Sequence, residues 1–250
     1  FYANIFAIAE SELEEGVIWT GSDDGLIHVT KDGGKTWENV TPPSNISPRL
    51  NMINCIDVSP FEKGKVYVAA TSYKFGDYTP YLYKTDNYGK TWELITNGIP
   101  ENYYTRALRS DKKRPGLLYS GTEWGMFISF DDGENWSNFQ LNLPITSIRD
   151  IHVKENDLIL ATHGRSFWMI DDLTPLHQLN EKNKDSNVIL FKPDLSYRMA
   201  QSGGWRKPNT LLVGENHPNG VIINYYLKNY KSDSDFLKIE ILNKDGSVIR

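Results

Sequence analysis

Short apolar stretches separated by turn residues recur through the first 170 residues of the chain. The first unit has apolar stretches at residues 4–9, 17–21, 25–30 and 36–40. The order returns at 54–59, 65–70, 81–84 and 92–95, and again at 105–109, 116–121, 125–129 and 136–139. Short strands with closely and regularly spaced turn signals are typical of all-β proteins. The pattern therefore predicts an all-β fold made of repeated four-stranded units.

A fourth unit follows but differs from the first three. It runs from residue 148 to 170, with predicted strands at 157–162 and 166–170, and Asp171-Asp172-Leu173 stands where the next turn would begin. The second unit also departs from the common length, because the loop 71–80 between its middle strands is long and rich in aromatic residues.

One turn motif closes the first three units: Ser/Thr-x-Asp-x-Gly-x-Thr-Trp, at residues 30–37, 86–92 and 129–136. The second copy is interpreted as carrying one extra residue, and the third has Asn135 in place of Thr. An Asp at the third position can accept hydrogen bonds from the backbone N–H groups that follow it. The Gly supplies a backbone conformation that other residues resist, and the Trp packs over the turn. We therefore expect a structural role, rather than catalysis, for Asp32, Gly34, Trp37, Asp86, Gly89, Trp92, Asp131, Gly133 and Trp136.

This motif resembles the Asp-box, or BNR repeat, of the β-propellers of sialidases, xyloglucanases and sortilin-type receptors. The stretches 114–123, 129–133, 161–176 and 219–227 are similar to the large bacterial sortilin-like BNR-repeat proteins, which are often labelled glycosyl hydrolases. The resemblance implies four visible propeller blades at residues 1–175, forming part of a larger propeller. It also implies a secreted or cell-surface protein, with a periplasmic location as the alternative.

The pattern changes after the fourth unit. Residues 176–208 are predicted to be a linker with a connecting strand at 188–193 and a loop at 202–208. Residues 209–250 contain alternating strands at 220–227 and 237–242 and the hairpin signal Asp245-Gly246. We interpret this segment as the start of a truncated immunoglobulin-like β-sandwich.

Composition narrows the class of partner. The net charge is −5 without a basic tract, which argues against nucleic acid, and no stretch has the length of a membrane span. Cys55 is the single cysteine, so an intrachain disulfide is excluded. The five histidines have no metal-ligand spacing, so neither a metal nor a cofactor is predicted.

Because the chain opens on Phe1 rather than Met, we expect it to be a fragment whose remaining blades are its own partners.

The candidate binding site lies on the face opposite the Asp-boxes, where the loops between second and third strands meet. Aromatic rings there can stack on a ligand and arginines can bind carboxylates, which suits an anionic or sugar-like molecule. The candidate residues are Tyr73, Arg106, Trp124, Arg149, His163 and Arg165. The alternative is that these are solvated loop residues, or arginines paired with Asp57, Glu123 and Asp150.

Three possibilities remain open at this point, and one of them is that the candidate face only docks the rest of the same chain. The repeated structural turns without a catalytic constellation favour a non-enzymatic extracytoplasmic binding or scaffold module that recognises protein or glycan. The alternative is a glycoside hydrolase of the Asp-box propeller type, with its carboxylates partly outside this chain. Such an enzyme needs two carboxylates flanking the scissile bond. The available residues are Asp23, Asp24, Asp57, Glu123 and Asp150, and their spacing does not single out a pair.

Overall fold

The computed structural model describes residues 3–48, 50–180, 182–183, 185–196, 220–231 and 237–249. The chain divides into two compact units, Phe1–Leu173 and Thr174–Arg250. The predicted loop at 202–208 and the segment 209–219 lie outside the described residues.

The first unit consists of four consecutive antiparallel sheets, which are the propeller blades. Blade 1 contains β1 (Ile5–Glu10), β2 (Ile18–Ser22), β3 (Ile27–Thr30) and β4 (Glu38–Asn39). Blade 2 contains β5 (Met52–Val58), β6 (Val66–Thr71), β7 (Tyr81–Thr85) and β8 (Glu93–Leu94). Blade 3 contains β9 (Thr105–Ser110), β10 (Leu118–Thr122), β11 (Gly125–Ser129) and β12 (Ser137–Asn138). Blade 4 has three strands, β13 (Ser147–Lys154), β14 (Asp157–His163) and β15 (Phe167–Ile170).

The hydrogen-bond register repeats from blade to blade. In every blade the innermost strand carries an irregularity at the same place, after Ile5, Ile53, Thr105 and Ile148 respectively. A bulge of this kind bends and twists the strand locally. The repeated position makes residues at equal distance from the bulge structurally equivalent in all four blades.

The core lies between blades rather than inside any one of them. One buried cluster joins Trp19 and Val29 of blade 1 to Val68, Tyr83 and Trp92 of blade 2. A second buried cluster joins blade 2 to blade 3. Since a single sheet cannot bury either of its faces alone, each blade depends on its neighbours for stability.

The three turns that resemble Asp-boxes, here called the Asp-box turns, have the local geometry that the motif predicts. In the first box, Asp32 accepts the Thr36 N–H at 2.9 Å and the Thr36 hydroxyl at 2.6 Å. Thr30 Oγ1 accepts the Gly34 N–H at 2.9 Å. Hydrogen bonds from the hydroxyl and the N–H of Thr36 lower the pKa of Asp32 to about 2, so the carboxylate stays ionised. The third box repeats these contacts through Ser129, Asp131, Gly133 and Asn135.

The second box corrects the sequence interpretation. Asn87, rather than Asp86, occupies the acceptor position, and its Oδ1 accepts the Thr91 N–H at 2.9 Å. Its amide group donates to the Thr91 hydroxyl at 2.7 Å. Asp86 is exposed and lies 3.6 Å from Lys65 Nζ. The second copy therefore has the same length as the others, with Thr85 as its first residue.

Each Asp-box also binds the turn between the first two strands of its own blade. The backbone N–H groups of Gly33, Tyr88 and Asp132 donate to the carbonyls of Gly16, Gly64 and Gly116, at 3.0, 2.9 and 2.8 Å. Both connections therefore lie on one face of the propeller, here called the Asp-box face. Because the strands are antiparallel, the turns between second and third strands lie at the other end of each blade, here called the loop face.

The second unit begins with a short helix, which reaches into the segment predicted to be a linker. The helix α1 spans Thr174–Gln178, and β16 (Val188–Leu190) pairs with β17 (Tyr225–Leu227). The Asp245-Gly246 signal forms a turn, with Gly246 at a positive φ and a bridge between Leu242 and Val248. The described residues of this unit establish two short paired strands, and the immunoglobulin-like sandwich stays a prediction. In the described part of the chain, no helix has the length and apolar character that crossing a membrane requires.

Candidate binding site on the loop face

Arg106 and Glu123 form the centre of the candidate site. Arg106 is only 7% exposed, and its Nη2 and Nε lie 2.9 and 3.0 Å from Glu123 Oε2. Ser147 of blade 4 donates its hydroxyl to the same oxygen at 2.8 Å. The site therefore joins β9 and the β10–β11 turn of blade 3 to β13 of blade 4.

Aromatic rings enclose the Arg106 guanidinium. Its central carbon lies 4.4 Å from the Tyr73 ring centroid and 4.7 Å from that of Tyr104. The two rings are stacked with centroids 5.4 Å apart, and the Tyr78 ring lies 5.7 Å from that of Tyr104. Tyr104 hydroxyl also accepts a hydrogen bond from Arg106 at 3.2 Å. The Arg106 guanidinium is a rigid support, because its charge is paired with Glu123 and it lies over two aromatic rings.

The charge of Glu123 is fixed by this arrangement. Burial by itself would raise the pKa of Glu123, but the Ser147 hydroxyl and the Arg106 and Arg149 guanidinium groups bring the pKa below its ordinary value. Glu123 is therefore ionised at neutral pH. A general acid in glycoside hydrolysis needs the opposite, a carboxyl group whose pKa is raised.

A second pair lies on blade 4. Arg149 Nη2 lies 2.9 Å from His163 Nδ1. Because arginine can only donate, His163 accepts through Nδ1 and carries its proton on Nε2. Arg149 is exposed, and its charge acts on Glu123, so this pair borders the Arg106 centre.

The structure brings some of the candidate residues together and separates others. Tyr73 and Arg106 are in contact, and Arg149 and His163 are in contact. Trp124 follows Glu123 in the β10–β11 turn, and 46% of its surface is exposed. Arg165 is exposed in the β14–β15 turn, where its backbone N–H donates to Thr162 Oγ1 at 3.1 Å.

Tyr104 and Ser147 are members of the site that the sequence analysis missed. Tyr104 directly precedes β9, so an alignment of the blades would have placed it beside Arg106 at the loop face. The sequence contains no signal that would have assigned Ser147 to the site, because serine is common at solvent-exposed positions.

The five carboxylates considered for hydrolysis all have structural partners. Asp57 is 8% exposed and accepts the N–H and the hydroxyl of Ser110 at 2.8 and 2.6 Å. Burial raises the pKa of Asp57, but the group is enclosed between blades. The remaining pairs are Asp23 with Asn4, Asp24 with Ser22, Glu123 with Arg106, and Asp150 with Arg109. Among the described residues, no group of three or more His, Cys, Asp or Glu side chains is arranged to hold a metal ion.

Comparison with solved structures identifies the architecture. A structure of YCF48 bound to D1 peptide matches with a TM-score of 0.51 and 17% identity, over 68% of this chain and 52% of that one. The fold is a β-propeller. The GH74 xyloglucanase of Xanthomonas campestris matches with a TM-score of 0.53 and 16% identity, over 67% of this chain and 29% of that one. The GH74 enzyme of Niastella koreensis matches with a TM-score of 0.55 and 15% identity, over 77% of this chain and 31% of that one.

These propeller neighbours include a peptide-bound protein and glycoside hydrolases, so the likeness is one of fold alone. The chain spans about half the length of the YCF48 structure and about a third of the GH74 enzymes. No family model matches the sequence, and no curated protein matches it.

Proposed function

We propose that this chain is a non-enzymatic binding module that recognises an acidic, aromatic-containing peptide segment of a partner protein on its loop face. The observation that carries the proposal is that Arg106 and Glu123 are paired with each other and held by Tyr104 and Ser147. These two residues support the site, while exposed groups around them are left to contact a ligand. The exposed groups are Phe75, Tyr78, Trp124, Arg149 and Arg165.

The charge and shape of these groups favour a peptide over a neutral glycan. The exposed Arg149 and Arg165 add positive charge beside an Arg106–Glu123 pair that is neutral as a whole, so a carboxylate in the ligand would be attracted. Phe75, Tyr78 and Trp124 provide aromatic surface, which is typical of the centres of protein–protein interfaces. A propeller of the same fold has been solved with a peptide bound, which supports this class of ligand.

The carboxylate chemistry argues against Glu123 as the general acid of a glycoside hydrolase. Glu123 is the carboxylate at the centre of the site, its pKa is lowered, and Arg106 and Ser147 engage it. The proposal also includes an extracytoplasmic location, on the resemblance of the repeats to secreted Asp-box proteins, and the presence of further blades in the intact propeller.

The test is a screen of the purified chain against an array of acidic peptides and an array of glycans, followed by titration of the best binder. We expect peptide binding that weakens about tenfold, or ~1.4 kcal/mol, in Arg149→Ala/Arg165→Ala and in Trp124→Ala. The matched controls are Lys35→Ala/Lys90→Ala and Phe61→Ala, which change exposed residues on the Asp-box face.

Three results would contradict the proposal. Turnover of any glycan would establish the hydrolase alternative. Glycan binding without peptide binding would replace the ligand class. Peptide binding that responds equally to the control variants would move the site away from the loop face.

A further inference from the structure

One face of blade 1 carries the residues with which a blade packs on the blade before it, but the described residues contain no such preceding blade. Equivalent positions in the four blades can be compared because their registers are the same. Each of two contacts occurs at two of the three junctions between neighbouring blades, and blade 1 carries the residues for both.

The first recurring contact is made by the Asp-box. Trp92 of blade 2 donates its indole N–H to the carbonyl of Val40 in blade 1 at 2.7 Å. Trp136 of blade 3 donates in the same way to Ile95 of blade 2 at 2.8 Å. Val40 and Ile95 are equivalent, because each directly follows the fourth strand of its blade.

The Asp-box glycine completes this contact. A Cβ on Gly89 would lie 2.6 Å from Val40 Cβ, and a Cβ on Gly133 would lie 2.6 Å from Ile95 Cδ1. The Gly and the Trp of a box thus hold the apolar residue at the end of the preceding blade. This pair of residues is here called the box clamp.

The second recurring contact involves the residue directly before the irregularity of the innermost strand, here called the bulge residue. Ile53 packs so closely on Gly21 of the preceding blade that a Cβ there would lie 2.3 Å from Ile53 Cγ2. Ile148 packs on Gly121 in the same way, at 2.7 Å. The second strand of a preceding blade therefore has a small residue facing the bulge residue of the next.

Blade 1 has the same residues without the contacts. Its box clamp is Gly34 and Trp37, and Trp37 donates only to the carbonyl of Gly34, at 3.2 Å, within its own turn. Trp37 is 44% exposed, whereas Trp92 is 8% exposed. The bulge residue Ile5 is 68% exposed, whereas its equivalent Ile53 is fully buried. A recess of about 410 Å³ opens on this face between Ile5, Thr20, His28 and Trp37.

We infer that this face of blade 1 is the docking surface for a further four-stranded propeller blade. That blade presents Gly or Ala in its second strand toward Ile5. Its fourth strand ends on an apolar residue that fits against Gly34 and offers its carbonyl to Trp37. The inference rests on the part of the proposed function that gives the intact propeller further blades, and it is independent of the ligand proposed for the loop face.

A second copy of this chain fits the surface less well. Blade 4 of such a copy would supply Ala161 at the position of Gly21. However, blade 4 has three strands, so it lacks the residue that Val40 and Ile95 provide. The occupant is therefore a complete blade.

The test is an extended chain in which residues 4–51 are duplicated directly ahead of Asn4. This places Gly21 and Val40 of the added blade in front of the original blade 1, in the same register that joins blades 1 and 2. The original blade 1 is here called the inner copy and the added blade the outer copy. We expect Tm to rise by on the order of 5 °C, because Ile5 and Trp37 of the inner copy become buried against the outer copy.

The duplicated chain contains its own control. Trp37→Phe in the inner copy is expected to lower Tm, whereas Trp37→Phe in the outer copy, which stays open, leaves Tm unchanged. Gly21→Val in the outer copy is expected to remove the gain, because Ile5 needs a small residue opposite it.

Two results would overturn the inference. One is an extended chain whose Tm does not rise, or responds equally to Trp37→Phe in both copies. The other would come from sedimentation of the original, unextended chain. Concentration-dependent dimers in sedimentation, abolished by Ile5→Asp, would assign the surface to a second copy instead.

Discussion

Asp132 of blade 3 and Lys65 of blade 2 form an ion pair between blades, with Asp132 Oδ2 lying 2.9 Å from Lys65 Nζ. Lys84 Nζ lies 3.1 Å from the same oxygen, and the Tyr67 hydroxyl donates to Oδ1. Both lysine side chains are buried. Asp132 stands next to the structural Asp131, so one Asp-box shapes its own turn and also joins two blades.

Replacement of Asp132 tests the strength of this junction. Asp132→Asn keeps the shape and tolerates the positive φ of 62° at this position, but it removes the charge. We expect the free energy of unfolding in urea at pH 7 to fall by about 2 kcal/mol, because two enclosed lysines lose a partner. Glu134→Ala, an exposed change in the same turn, serves as the control, and an equal loss in both variants would contradict the interpretation.

The same junction predicts acid sensitivity. Burial alone would raise the pKa of Asp132, but the Tyr67 hydroxyl and the two lysines bring it below its ordinary value. A carboxyl group with a lowered folded pKa stabilises the fold above its unfolded pKa of about 3.9, and this stabilisation is lost as pH falls through the folded pKa. The difference in stability between the wild type and Asp132→Asn should therefore be constant from pH 5 to 7 and shrink as pH falls below the unfolded pKa of about 3.9. A difference that does not depend on pH would exclude the charge as its cause.

The second Asp-box predicts that Asn87 matters and Asp86 does not. Asn87→Ala removes the acceptor of the Thr91 N–H and should cost about 1 kcal/mol of unfolding free energy. Asp86→Ala should change it by less than about 0.5 kcal/mol, since the side chain is exposed and its ion pair with Lys65 is long. Thermal or urea unfolding of the two variants decides the assignment, and a larger loss in Asp86→Ala would restore the original interpretation.

The Gly121→Ala substitution tests how closely blades 3 and 4 are packed, because close packing predicts a loss of stability and loose packing predicts a gain. Alanine is ordinarily better than glycine in a strand by about 0.5–1 kcal/mol. A Cβ at Gly121, however, would lie 2.7 Å from Ile148 Cβ and 3.2 Å from the Ile148 carbonyl oxygen. Gly121→Ala should therefore destabilise the fold by about 1–3 kcal/mol. A neutral or stabilising result in urea unfolding would mean that blades 3 and 4 are packed less closely.

The strands and the repeated turns were predictable from the sequence because they depend on local signals. In the first unit, predicted and observed strands agree within about two residues, as for 125–129 and β11, Gly125–Ser129. In the second unit they do not: the strand predicted at 188–193 ends at Leu190, the one predicted at 220–227 begins at Tyr225, and the one predicted at 237–242 is reduced to a bridge at Leu242. The error at Asp86 arose from matching the acidic residue instead of the spacing. Counting eight residues from Thr85 to Trp92 gives Asn87 the position of Asp32, so the signal was present.

The candidate site was only partly predictable. Arg106 and Arg149 both stand near the start of an innermost strand, and the sequence does not distinguish them. The structure buries Arg106 against Glu123 and Tyr73, which come from different loops, and leaves Arg149 exposed beside His163. Which arginine can meet a ligand depends on these loops coming together.

The sequence by itself determined the strands of the first unit, their order and the turn geometry, because the side-chain hydrogen bonds that shape each Asp-box turn lie within eight residues. Only the tertiary structure decided which equivalent residues are buried. Trp37 and Trp92 occupy the same position in the same motif, but one is exposed and the other is buried. The physical reason is that the core of a propeller lies between blades, so the environment of a residue is set by a neighbouring blade.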